Sequence, residues 1–172
     1  MEFNYQAAID IARKAHSGQS RKYTRDPYLT HPFAVSGLVA SVTTDDDMIV
    51  AAILHDVVED SPISIETIYG IFGKRIGDMV ENLTDVSKKS DGNREVRKRI
   101  DREHTAKASK EAKTIKLADL IDNTKTIVSF DPKFAEVYMR EKQLLLEVLQ
   151  EGDKTLLTLA SSMIEDYLKG EE

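Results

Sequence analysis

The chain has no cysteine, which removes disulfides, thiolate nucleophiles and cysteine-based zinc or iron–sulfur sites from consideration. Any metal must be held by His, Asp, Glu or main-chain groups. No apolar run approaches the roughly 18 to 20 residues that a membrane span requires. The N-terminal stretch MEFNYQAAIDIARKAH mixes charge into a helical pattern and does not resemble a signal peptide. Cytoplasmic residence, with no membrane partner, is the expectation. Excess positive charge is missing too. Lys and Arg number 24 against 30 Asp and Glu, a net charge of −6 that argues against broad binding of a nucleic-acid polymer. No segment combines strand alternation with hairpin turn chemistry, and no internal repeat, long linker or low-complexity tract is visible. With 172 residues, 41% hydrophobic and 31% charged, the composition fits one soluble globular domain, residues 1–172, with a substantial core.

What is present is helical periodicity. Phe3, Ala7, Ala8, Ile11, Ala12 and Ala15 follow the i, i+3, i+4 rhythm of an amphipathic helix. A turn-rich stretch from Ser17 to Thr30 follows, and Pro32 suits the first position of the next helix. Thr44 or Asp45 can cap a third helix, with Ile49, Ala52, Ile53 and Val57 as its apolar stripe. Ser64 can cap a short helix that Gly73 stops. Further helices are expected at about 74–86, 94–107, 110–128, 133–150 and 153–168, with boundaries good to about two to four residues. The fold class is therefore all-α, a compact multi-helix bundle with connections short enough for antiparallel neighbours.

Within this pattern, AAILHDVVEDS places His55 and Asp56 side by side in an apolar helix, where both are costly to bury unless something satisfies them. His31 in PYLTHP sits at a helix entrance, and Asp119 lies in the apolar face of KLADLIDN. Two imidazoles and two carboxylates could clamp one divalent cation while leaving positions open for water and substrate. Mixed N and O donors favour Mn2+, with Fe2+ or Zn2+ as alternatives. The competing reading makes each His a hydrogen-bonded core residue and Asp119 a buried partner of Lys116 or Arg21. Glu59 lies one turn after His55 and Asp60 one turn after Asp56. His16 and His104 have no acidic neighbours in a motif and read as structural or surface residues. Arg94, Arg97, Lys98, Arg99 and Arg102 form a basic stretch, either a solvated helix face or a wall that binds phosphate.

The order H…HD…D resembles the HD superfamily of metal-dependent phosphohydrolases. More narrowly, the chain is similar to the hydrolase domain of the RelA/SpoT proteins and to the stand-alone small alarmone hydrolases. The stretches that carry the likeness are AHSGQSRKYTRDPYLTHP, AAILHDVVEDS, IFGKRIGDMVENLTD and IKLADLIDNTKTI. They span roughly residues 5–130, with a helical tail over 131–172. The resemblance implies a fold of the HD-domain type, with His31, His55, Asp56 and Asp119 as metal ligands. It makes Glu59 and Asp60 the acidic pair that activates or orients the attacking water. It also implies that Arg21 lies against a purine and Lys22 approaches phosphate. Asn123 would contact the nucleoside and Thr126 would line the pocket wall. Tyr138 lines up with a family tyrosine beside the base, though it could equally be a tyrosine of the bundle core.

Two departures stand out. RKYTRDPY lacks the glycine common in that turn, and Leu120, Ile121 and Asp122 replace the RLH of the common KLADRLHN. The added carboxylate at Asp122 bears on base preference and phosphate affinity. The length leaves no room for a synthetase domain, so hydrolysis without synthesis is expected. The implied reaction releases the 3′-pyrophosphate of a purine alarmone such as ppGpp. Lys22 and Lys98 would offset phosphate charge as it shifts in the transition state. Two alternatives stand beside it. One is an HD phosphohydrolase acting on another nucleotide: an adenine alarmone, a deoxynucleoside monophosphate or a phosphorylated dinucleotide. The other is a non-catalytic, metal-stabilised helical binding module.

Overall fold

The computed structural model describes residues 2–170, with side chains from Asn4 onward. Among them every regular element is helical, and the single β-bridge, between Ser20 and Pro27, stands alone. Short polar residues set the entrances. Asp45, Ser64, Asn93, Ser109, Asp131 and Asp153 each accept a hydrogen bond from an N–H two or three residues ahead. Such caps are worth about 1 kcal/mol apiece because they satisfy donors the helix leaves orphaned. Of the two caps expected for the third helix, Asp45 is the one used. The helices gather into two compact units, one up to Thr84 and the other from Asp85.

The first unit holds α1 (Glu2–Ala15), α2 (Thr30–Ala40), α3 (Asp46–Leu54), α4 (Val57–Asp60) and α5 (Ile65–Leu83). Helix α3 is its centre and packs against α1, α2 and α5. Met48, Val50, Ala51, Ala52, Ile53 and Leu54 are all buried, as expected of a helix apolar on every side. Helix α2 starts two residues before the expected Pro32, because the turn before it already bonds in helical fashion, His31 N–H donating to the Tyr28 carbonyl at 2.9 Å. Gly73 leaves helical backbone space at φ 80° and ψ 179°, so the Ser64-capped segment stops there as expected and a second helical segment of α5 follows directly.

The second unit opens with a short 3-10 turn at Lys89–Asp91, followed by α6 (Arg94–Ala106), α7 (Lys110–Phe130), α8 (Pro132–Val148) and α9 (Lys154–Lys169). Helix α7 packs against both α8 and α9 and buries Leu117, Ala118, Leu120 and Ile121. The buried Asp101 of α6 accepts from the Val86 and Ser87 N–H groups and from the Ser87 hydroxyl, at 2.9–3.1 Å. A buried carboxylate thus fastens the segment before α6 and is itself satisfied by it. Among the described residues, no helix is long and apolar enough to cross a membrane.

The backbone at Gly73 lies in a region open essentially to glycine alone, where a side chain costs on the order of 1–3 kcal/mol. Gly73→Ala should therefore lower the unfolding free energy read from urea denaturation by an amount in that range. Gly70→Ala, where an added Cβ meets nothing within 4 Å, should be neutral or stabilising by about 0.5–1 kcal/mol.

Candidate metal centre

The apolar packing of α3 carries its C-terminal end into the interior, and that end is His55, only 2% exposed. The helix stops at Leu54. Asp56, at φ −98° and ψ −4°, leaves the helical path before α4 begins at Val57. The expectation that Asp56 lies within the third helix is thereby corrected. It sits at the joint between two helices, in the bridge region of backbone space where active-site residues often occur, and this turns its carboxylate back toward the imidazoles. Asp56 Oδ2 is 3.1 Å from His55 Nε2 and 3.6 Å from His31 Nε2. The two rings meet edge to face, with centroids 5.1 Å apart. His31 is buried in the first turn of α2, turned inward as its place before Pro32 suggested.

His55 Nδ1 lies 2.8 Å from the Ala52 carbonyl. A carbonyl accepts only, so Nδ1 carries the proton and Nε2 presents its lone pair, the tautomer that metal-ligating histidines adopt. One donor atom from each of His31, His55 and Asp56 lies within 4.8 Å of the others. Donors about 2.1 Å from one ion, at angles between octahedral and tetrahedral, are about 3.0 to 3.4 Å apart. The spacing of His55 and Asp56 falls in that interval, and that of His31 and Asp56 lies slightly outside it. The three residues could therefore hold a divalent cation.

Around this trio stand residues that the motif reading left out. The Tyr28 hydroxyl donates to Asp56 Oδ2 at 2.7 Å, and its ring packs 4.8 Å from that of His16. His16 is buried, as one of its two expected readings allowed, and its Nδ1 lies 2.9 Å from Gln19 Oε1. The Gln19 amide in turn donates to the Asp60 carbonyl at 2.9 Å. Tyr28, one helical turn before His31 in PYLTHP, was the available signal: i, i+3 neighbours share a face. Asp60 follows Asp56 by one turn, its N–H donating to the Asp56 carbonyl at 3.0 Å. Partial desolvation pushes the Asp60 carboxyl above its ordinary range although the residue, like Glu59, is exposed, and the negative charge of Asp56 adds to this. Such a group holds its proton closer to neutrality, the property asked of a general acid or base. Glu59 is exposed beside it.

Of the expected substrate residues in this unit, Arg21 is 9% exposed and its N–H donates to the Asp26 carbonyl at 2.8 Å. Lys22 is exposed, its ammonium donating to the Tyr23 hydroxyl at 2.9 Å. The remaining candidates belong to the second unit. Asp119 is buried on α7, accepting from Asn123 Nδ2 at 2.6 Å, with the Lys116 ammonium 3.4 Å away. Asn123 and Asp119 thus share a face, as their spacing required, and the expected Lys116 partnership also forms. Thr126 donates to the Asn123 carbonyl at 3.1 Å. Tyr138 is a core residue, 5% exposed, with its hydroxyl 3.4 Å from the Thr124 hydroxyl. Lys98 pairs with Asp85 at 2.8 Å and approaches Asp101 at 3.5 Å. The basic stretch around it divides: Arg94 pairs with Glu141 at 2.6 Å, while Arg99 is exposed.

Comparison with known proteins gives a consistent picture. The HD domain family pattern matches residues 8–145. A probable GTP diphosphokinase, RSH3, of Arabidopsis thaliana is 37% identical over 135 residues, 76% of this chain and 19% of the relative. The bifunctional (p)ppGpp synthase/hydrolase SpoT of Escherichia coli is 34% identical over 125 residues, 71% of this chain and 18% of the relative. The chain spans less than a fifth of the length of these curated relatives. A solved structure described as a metazoan ortholog of SpoT that hydrolyses ppGpp superimposes with a TM-score of 0.85. It is 30% identical and covers 95% of this chain and 94% of its own.

The Tyr28–Asp56 hydrogen bond should matter to metal binding, since partners behind a ligand typically contribute about 10- to 100-fold in affinity. Tyr28→Phe keeps the ring against His16 and removes only the donor. Calorimetric titration with Mn2+ should show weaker binding within that range, and unchanged affinity would remove Tyr28 from the site.

Proposed function

The chain belongs to the HD domain family, in its RelA/SpoT hydrolase-like branch, and on that premise we propose that it is a metal-dependent phosphohydrolase releasing the 3′-pyrophosphate of a purine alarmone such as ppGpp. The observation that carries this reading is the His31, His55 and Asp56 cluster with the acidic pair Glu59–Asp60 one turn beyond it. The likeness to a structure described as hydrolysing ppGpp supports the substrate class. Mn2+ is the proposed ion, favoured by two imidazoles with carboxylate and no thiolate. The assignment of Asp119 as a further ligand rests on its motif, KLADLIDN.

When bound, the cation would polarise a phosphoryl oxygen and lower the pKa of a coordinated water. The protein's own groups do the rest. His31, His55 and Asp56 hold the ion, with Tyr28 fixing the Asp56 carboxylate through its hydroxyl. Asp60, with its carboxyl pushed up, and Glu59 take or hold the proton of the attacking water. Arg21 is proposed to stack on the purine and Lys22 to offer a point charge to phosphate. Asn123 and Thr126 are proposed to meet the nucleoside. Lys98 is proposed to offset phosphate charge.

The test is turnover of a nucleotide panel by the Mn2+-loaded protein. ppGpp, or its adenine counterpart, should lose pyrophosphate, and chelation of the metal should abolish the reaction. Glu59→Gln with Asp60→Asn should retain metal while lowering kcat by about 100-fold or more. Cleavage of a different phosphoester with alarmones ignored would leave the family and remove the substrate. Wild-type kcat in the double variant would end the role of the acidic pair.

A further inference from the structure

His16 holds no ion and moves no proton in the reading above, yet it is one of three histidines buried in the first unit, with 4% of its surface exposed. It continues the helical path past the end of α1, its N–H donating to the Ala12 carbonyl at 3.0 Å. Nearby, the Gln19 amide nitrogen donates to the Ala15 carbonyl at 3.3 Å and to the Asp60 carbonyl at 2.9 Å. Both acceptors are carbonyls, so the amide has one orientation and its oxygen is what faces His16. The 2.9 Å contact with His16 Nδ1 is therefore a donation from the ring. The other ring nitrogen, Nε2, is buried and has no partner among the described residues.

A buried polar atom without a partner works against folding. Phenylalanine would fill the same space against Tyr28 without that penalty, so stability gives no reason for a histidine here. Position does. The ring governs two neighbours, and each leads to a carboxylate residue of the candidate site. Gln19, oriented by Nδ1, holds the Asp60 carbonyl, a group that the end of α4 leaves without an intrahelical donor. Tyr28, whose ring lies 4.8 Å from that of His16, holds Asp56 through its hydroxyl. Between Asp56 and Asp60 runs α4, a helix of 4 residues. One turn is too short to keep its shape unaided, so the spacing of the two carboxylates has to be set from outside. Helix α1 packs against α4, and His16 at its end serves both supports.

We propose that His16 is a positioning residue: through Gln19 and Tyr28 it holds Asp60 in register with Asp56 across α4. The catalytic value of that register rests on the alarmone-hydrolase reading, in which Asp60 takes or holds the proton of the attacking water. The two supports themselves do not depend on it.

Three variants test this. His16→Phe keeps a ring against Tyr28 and removes the donor, while His16→Asn places an amide nitrogen where Nδ1 stands. Gln19→Leu cuts the support of Asp60 at a half-buried position and carries the test should His16→Phe not fold. Backbone 15N relaxation, with Zn2+ present as a diamagnetic stand-in for Mn2+, reads the register without turnover. The order parameter of the Asp60 N–H should lie near the rigid value of about 0.85 in the wild type. It should drop toward about 0.6 in His16→Phe and Gln19→Leu, with Ala51 unchanged. On ppGpp, His16→Phe should lower kcat by about tenfold or more, since small misplacements of reacting groups are costly. Its KM and Mn2+ affinity should stay near the wild-type values, and its stability in urea should not fall. His16→Asn should regain most of the rate. Adding Gln19→Leu to His16→Phe should cost little more, because both cut one path. A rigid Asp60 or a wild-type kcat in His16→Phe, a rate loss matched by lost stability, or no recovery in His16→Asn would each overturn the proposal. A wild type inactive on ppGpp, with Asp60 loosened in the variants, would remove the alarmone and leave the positioning of Asp60. An active wild type with Asp60 unmoved would do the reverse.

Discussion

The first unit depends on one electrostatic arrangement: a carboxylate oxygen of Asp56 held between two buried imidazoles and a tyrosine hydroxyl. None of these groups would be stable in an apolar interior by itself. Asp56 can reach the imidazoles only because the chain breaks from helix at its own residue, and His55 can be buried only because the apolar sides of α3 pull the helix inward. The site is thus a consequence of how a fully buried helix ends. The Ala52 carbonyl sets the tautomer of His55, Tyr28 sets the orientation of Asp56, and Gln19 ties the Asp60 backbone to the His16 ring. The candidate metal ligands and their supporting partners come from two stretches of sequence, 16–31 and 52–60.

The second unit solves a different problem. Helix α7 carries Lys116, Asp119 and Asn123 on one buried or half-buried face. Helices α6 and α8 add Lys98, Asp101, Arg102, Glu141 and Lys142 around a cavity. Asp85 shows the balance within it. Burial alone would push its carboxyl up, but Lys116 and Lys98 together outweigh that and hold it below the ordinary carboxylate range. Lys142 shows the opposite outcome, with burial and like charges both acting against its proton.

Much of this was legible in the sequence because it is local. Caps such as Asp45 and Ser64 announce helix entrances through backbone donors that need an acceptor, and these cap residues were found where expected. The pairing of Asn123 with Asp119 followed from helical spacing alone. His31, His55 and Asp56 were legible as a set because buried imidazole and carboxylate groups demand compensation. What escaped was non-local or depended on competition between local preferences. Asp56 leaves the helix although its spacing suits one. The partners of Arg94 and Lys98 lie in other segments, so a run of basic residues could not be sorted into paired and unpaired charges before the fold was known. Tyr138 fitted both a core and a pocket wall by pattern, and the structure shows it buried, with its hydroxyl near that of Thr124.

The central claim is that His31 and His55 present their Nε2 lone pairs, beside Asp56, to one divalent cation. Pulsed electron paramagnetic resonance on the Mn2+-loaded protein reads nitrogen nuclei bound to the ion directly. The account predicts coupling to two imidazole nitrogens, reduced to one in His31→Ala or His55→Ala, with Mn2+ still detectable at raised concentration. A bound Mn2+ with no nitrogen coupling, or with couplings unchanged when either histidine is replaced, would contradict it.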